Sequence, residues 1–174
     1  MTEHNTHRSH PALAEERLSQ SYMDLVAECL SEVEELFPWD LSEELQRGRQ
    51  PLILDIREPY EFAALHLPGS LNVPRGVLEP ACEWGFEETV PELVQARERD
   101  IVVVCRSGYR SVLAAHTLQR MGYQHVRSLK TGVRGWNDYE QPLVDAEEQP
   151  LALEQTDEYF MAGPRPEQLK PRQP

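Results

Sequence analysis

Two short apolar runs constrain this chain more than any other feature: "PLILDI" at residues 51–56 and "IVVVC" at 101–105. A strand with one wet face alternates apolar and polar residues, so an unbroken run predicts a strand covered on both faces. Each run is followed by a helical pattern. "REPYEFAALH" follows the first, and "SVLAAHTLQRMG" the second, with Val112, Ala114, Ala115, Leu118 and Met121 on its buried side and Gly122 just past its end. "LPGSLNVP" reads as a turn into a short strand, "ETVPELVQARERD" as a helix, "YQHVRSLK" as a further strand and "GVRGWNDYEQP" as a last short helix. Parallel strands need crossover helices, so this alternation predicts a single α/β domain with a mainly parallel sheet flanked by helices. In such sheets ligands bind beyond the carboxyl ends of the strands, where Cys105 stands.

The flanks read differently. Leu18, Tyr22, Leu25, Cys29, Val33 and Leu36 recur every three or four residues, which predicts an amphipathic helix from about Ala12 to Phe37 packed back on the domain. "PWDLSEELQRGRQ" is expected to give a short extended piece, a helix capped by Ser42 and a stop at Gly48. After Pro142 the chain turns acidic and rich in Gln and Pro, which predicts a disordered tail. The 174 residues hold one ordinary domain with extensions.

Three cysteines, odd in number and with no C-x-x-C pair, argue against a disulfide framework or a zinc site and for a reducing, cytoplasmic setting. His4, His7 and His10 have ligand-like spacing but sit in a polar terminus, so no metal site is expected. The start has no apolar signal region and no run is long enough to span a membrane, so no membrane partner is expected. A net charge of -13 argues against nucleic acid as a partner. The charge is unevenly spread: Ile101 to Trp136 contains six basic residues and no acid. The field around Cys105 is therefore expected to oppose that of the whole chain.

A cysteine after an apolar run is ordinarily a small core residue. The residues after Cys105 argue otherwise. "RSGYR" must curve tightly between strand and helix, and Gly108 permits the backbone conformation this needs. Such a curve turns amides inward as an anion nest, the helix N-terminus adds partial positive charge, and Arg106 and Arg110 add two full charges. A thiolate there is stabilised, which makes Cys105 a candidate nucleophile. Cys29 and Cys82 lack such a nest and are expected to be inert.

"CRSGYRS" resembles the active-site loop of rhodanese-type sulfurtransferases, and the likeness extends to three more segments in order. "LILDIREPYEF" resembles the family's Asp-x-Arg strand end and acidic helix (Asp55, Arg57, Glu61), "LHLPGSLNVP" its Gly-His-Ile-Pro-Gly-Ala turn, and "TGVRGW" its closing element (Gly132, Gly135, Trp136). Leu65 replaces the glycine usual before His66, and residues 75–92, with Trp84 and Phe86, form a longer stretch than minimal members have. Those two aromatics are expected in the core, at a subunit contact or at the pocket mouth.

The resemblance implies a rhodanese-like domain over residues 37–143, an extension with an amphipathic helix over 1–36 and a tail over 144–174. It also implies that Cys105 takes a sulfane sulfur from a small anionic donor, thiosulfate or a persulfide. The sulfur then passes to a thiol, cyanide or a sulfur-carrier protein, with no metal or organic cofactor. Arg106, Ser107, Gly108, Tyr109, Arg110 and Ser111 are expected to bind the donor. Asp55 and Arg57 are expected to brace the loop, His66 to bond backbone, and Glu58 and Glu61 to form a solvated or N-terminal helix face. Two rivals share the scaffold: a protein-to-protein sulfur relay or binding module, and a phosphatase or arsenate reductase. The loop has four residues between Cys105 and Arg110, one fewer than the C-x5-R loop of related phosphatases and arsenate reductases, which favours sulfur over phosphorus or arsenic chemistry.

Overall fold

The computed structural model describes residues 19–170. Five parallel strands, β1 (Glu34–Leu36), β2 (Leu52–Asp55), β3 (Leu71–Asn72), β4 (Asp100–Val104) and β5 (His125–Leu129), form one sheet in the order β1-β5-β4-β2-β3. The two apolar runs are its central pair, β2 and β4, in register Leu52 with Ile101 and Asp55 with Val104. Residue parity divides their side chains between two cores. Leu52, Leu54, Ile101 and Val103 pack on one side with Val26 of α1 (Tyr22–Leu30) and Ala114, Ala115 and Leu118 of α6 (Tyr109–Arg120). Ile53, Val102 and Val104 pack on the other with Leu41 of α2 (Pro38–Gln46), Trp136 of α7 (Gly132–Asp138) and Phe160 of α8 (Leu153–Met161). Short helices α3 (Pro59–Ala64), α4 (Leu78–Ala81) and α5 (Pro91–Val94) complete the crossovers. Parity carries one step past β4 and turns Cys105 toward α6.

Several expectations are corrected. Of the helix expected over residues 12–37, residues 12–18 lie outside those described, the helix itself runs only from Tyr22 to Leu30, and Glu34–Leu36 is an edge strand. Pairing with β5 overrides the helical period there: Leu36 stands opposite Leu129, and the Lys130 amide donates to the Leu36 carbonyl at 2.9 Å. Ser42 lies inside α2, where its hydroxyl donates to Gln141 at 2.6 Å. Phe37 holds the cap position, with Pro38 at the start of the helix, where an N–H is not needed. Gly48, with φ +85°, does mark the stop. Residues 144–162 are not a disordered tail: Val144 bridges His66, and α8 buries Thr156 and Phe160. Trp84 and Phe86 are exposed rather than in the core. His4, His7 and His10 lie outside the described residues.

No helix among the described residues is long and apolar enough to cross a membrane.

Candidate active site

β4 ends at Val104, α6 begins at Tyr109, and the loop between them carries Cys105 at its base. Gly108 makes the turn with φ +89°, and a Cβ there would lie 2.8 Å from the Thr131 amide nitrogen. Both conformation and space therefore demand glycine. The β5–α7 turn holds the loop from behind. Val133 and Arg134 amides donate to the Cys105 and Arg106 carbonyls at 2.8 and 3.0 Å. Gly132 lets the two backbones meet, since a Cβ on it would fall 2.2 Å from the Cys105 carbonyl oxygen. The "TGVRGW" segment thus pins the Cys105 and Arg106 carbonyls from behind the loop.

Cys105 is 1% exposed. The Gly108 N–H donates to Sγ at 3.1 Å, and the thiol lies 3.4 Å from Ser111 Oγ as a hydrogen-bond donor. When the sulfur is ionised the Ser111 hydroxyl can donate to it instead. Ser111 is itself met by the Ser128 hydroxyl, which donates at 2.8 Å from β5, and both serines are fully buried. Ser128 is absent from the sequence-based set because nothing in "HVRSLK" distinguishes it from a strand serine. No side chain caps α6, so the amides of its first turn remain open to a bound anion.

The two loop arginines are engaged elsewhere. Arg110 donates through both terminal nitrogens to Glu61, at 2.9 and 3.0 Å. Glu61 is buried, not a solvated helix face, and also accepts the Glu58 amide. Burial pushes the Glu61 carboxyl up, but the Arg110 bond, the Glu58 amide and the charges of Arg110 and Arg57 outweigh it and leave the group below its usual range. Arg106 turns to α8: it lies over the Tyr159 and Phe160 rings at 5.7 and 5.1 Å and donates to the Ala162 carbonyl at 3.3 Å.

Asp55 and Arg57 are fully buried as a forked ion pair, with Nε to Oδ1 at 3.0 Å and Nη2 to Oδ2 at 2.7 Å. Arg57 also donates to the Leu65 carbonyl at 2.7 Å, tying the end of β2 to the turn after α3. Leu65 is extended and buried, which removes any need for glycine there. His66 bonds the Phe62 carbonyl and Glu148 at 2.8 and 3.0 Å and stacks on the Phe62 ring. Cys82 lies in the core and burial raises its thiol pKa; burial and then the charges of Glu28 and Glu32 raise that of Cys29. Neither thiol is poised to ionise.

The pocket over Cys105 has a volume of about 190 Å³ and is lined by Tyr22, Cys105, Arg106, Ser107, Tyr109 and Arg110. Drug-sized ligand pockets are larger, roughly 300 to 1,000 Å³, so this one suits a small reactant. A depression of about 720 Å³ lies at the opposite, amino-terminal edge of the sheet. There Arg127 bridges Glu44 and Asp100 at 2.8 Å each, acids outnumber the two arginines of the lining, and no cysteine or hydroxyl side chain faces the space. Among the described residues no group of three or more His, Cys, Asp or Glu is arranged to hold a metal ion.

The rhodanese-like domain family matches residues 38–139. A sulfurtransferase of Allochromatium vinosum is 31% identical over 115 residues, covering 66% of this chain and 98% of that protein. Thiosulfate sulfurtransferase 18 of Arabidopsis thaliana is 34% identical over 133 residues, covering 70% and 93%. Among solved structures, a Rhodopseudomonas palustris protein of unknown function, described as a possible tyrosine phosphatase, superposes with a TM-score of 0.65 at 29% identity, covering 72% of this chain and 95% of its own.

Proposed function

The chain belongs to the rhodanese-like domain family, and from that premise we propose that it is a sulfurtransferase working through a persulfide on Cys105. The Cys105 thiolate attacks the outer sulfur of thiosulfate, a new S–S bond forms, and the old one breaks with its electron pair leaving on sulfite. A nucleophilic acceptor, such as a thiolate or cyanide, then attacks the outer sulfur of the persulfide and the electron pair returns to Cys105 as thiolate. Splitting the transfer into two displacements is the advantage of a covalent intermediate.

The observation that carries the reading is the setting of Cys105 Sγ: a buried sulfur held by the Gly108 amide and the Ser111 hydroxyl at the base of a loop with four residues before Arg110. The same donors and the open amides of α6 suit the negative charge that the thiolate and the outer persulfide sulfur carry in turn. Because Glu61 and α8 hold Arg110 and Arg106, those arginines contribute mainly field and loop shape. A phosphoryl group needs donors for three oxygens around the thiolate, and the short loop supports sulfur chemistry over that alternative.

The test is intact-mass spectrometry after incubation with thiosulfate. Wild type is expected to gain one sulfur atom and Cys105→Ser none, with Cys29→Ser and Cys82→Ser behaving as wild type. Efficient cleavage of an aryl phosphate with no sulfur gained would overturn the proposal.

A further inference from the structure

Tyr22 lies outside the segment that matches the family, yet it lines the Cys105 pocket. Its position is fixed by α1. Ser21 caps the helix, accepting the Asp24 amide at 3.1 Å while its own amide donates to Asp24 at 2.8 Å. One turn on, Val26 is fully buried in the core beneath α6, and Gln119 of α6 donates to the Glu32 carbonyl just past the helix at 3.2 Å. At the mouth the Tyr22 ring meets the Tyr109 ring edge-on, with centroids 6.4 Å apart and planes at 86°.

The ring is 48% exposed, and no hydrogen bond ties its hydroxyl to another group among the described residues. Burial, and then the charge of Cys105, push its phenol above the ordinary value against the opposing pull of Arg110. At neutral pH it is therefore an O–H donor. Arg110 is bound by Glu61 and Arg106 by α8, which leaves the hydroxyls of Tyr22, Ser107 and Tyr109 as the side-chain donors at the mouth with no hydrogen-bond partner among the described residues, and of these Tyr22 alone comes from outside the loop.

We propose that Tyr22 is a donor-binding residue, its hydroxyl donating to the oxyanion end of a small sulfur donor whose outer sulfur faces Cys105. The contact rests on the sulfurtransferase reading and adds to it a residue supplied by the amino-terminal helix. An acceptor such as cyanide has no oxyanion end and makes no such bond. The contact thus acts in the first half-reaction only.

Tyr22→Phe keeps the ring and its packing on Tyr109. Its melting temperature should equal that of wild type. In steady-state kinetics kcat/KM for thiosulfate should fall about tenfold, the scale of one hydrogen bond to a charged group, while kcat/KM for cyanide stays unchanged. Equal losses for both substrates, or none for either, would overturn the proposal. A second readout does not depend on sulfur transfer: sulfate should slow alkylation of Cys105 by iodoacetamide in wild type, and about tenfold more sulfate should be needed in Tyr22→Phe. If wild type takes no sulfur from thiosulfate, the catalytic reading fails but this comparison still reports the contact. Equal sulfate protection in the two proteins refutes it.

Discussion

Replacing Ser111 with alanine touches two interactions at once, and the structure separates them. Toward the pocket, it removes the hydroxyl 3.4 Å from Cys105 Sγ and leaves the thiolate with the Gly108 amide. A hydrogen bond to a charged group is worth about 1.5 kcal/mol at the low end, so single-turnover sulfur loading of Cys105 should slow by about tenfold. Toward the core, it strands the Ser128 hydroxyl, which is fully buried and has Ser111 as its hydrogen-bond partner at 2.8 Å. An unsatisfied buried hydroxyl costs about 1 to 3 kcal/mol, to be read as a lower midpoint in urea. Ser128→Ala should destabilise less, about 1 kcal/mol, because Ser111 keeps its contact with Cys105. The double variant carries no stranded hydroxyl. It should be more stable than the sum of the single effects implies, by about 1 kcal/mol or more, while loading sulfur as slowly as Ser111→Ala. Additive stabilities together with wild-type loading in Ser111→Ala would refute the idea that the two serines form a relay to the nucleophile.

Gly132→Ala should lower both stability and sulfur transfer, because its Cβ would fall 2.2 Å from the Cys105 carbonyl; Gly122→Ala is the control, with positive φ but open space, costing about 1 kcal/mol and leaving turnover unchanged. Phe160→Ala should destabilise by about 3 kcal/mol and free Arg106, which thermal melts and limited proteolysis near residue 162 would detect. Acid should weaken the fold in a predictable direction. Glu61 and Glu44 titrate below the ordinary 4.5 when folded, Glu44 chiefly through its bond to Arg127, so the unfolded chain binds more protons as pH falls below about 4.5. Their contribution is present at neutral pH and lost through the folded values, and Glu61→Gln should flatten the fall in urea midpoint between about pH 5 and 3.

Local signals were enough for the four strands from β2 to β5 and for the candidate nucleophile. Unbroken apolar runs at 51–54 and 101–105 can be covered only by layers on both faces, so β2 and β4 had to be central and their connections had to cross over. Cys105 and Gly108 were legible because a strand end, a tight turn and a helix start lie within nine residues of one another. The Asp55–Arg57 pair was legible for a similar reason, its partners being two residues apart. The contacts that tune the site join residues far apart in the chain, and no local pattern encodes them. Glu61 reaches Arg110 across 49 residues, Ser128 reaches Ser111 across 17, and Arg106 is held by a carbonyl 56 residues away. The register of β5 against β4 and the packing of α1 and α8 set those distances. The same logic turned Glu34–Leu36 from helix to strand and the acidic tail into a helix: an open sheet edge offered backbone partners to the first, and a hydrophobic face offered Phe160 a place to be buried. Sequence thus determined which atom is the candidate nucleophile, and tertiary structure decided what surrounds it, because burial and ion pairing depend on which distant segments the fold brings together.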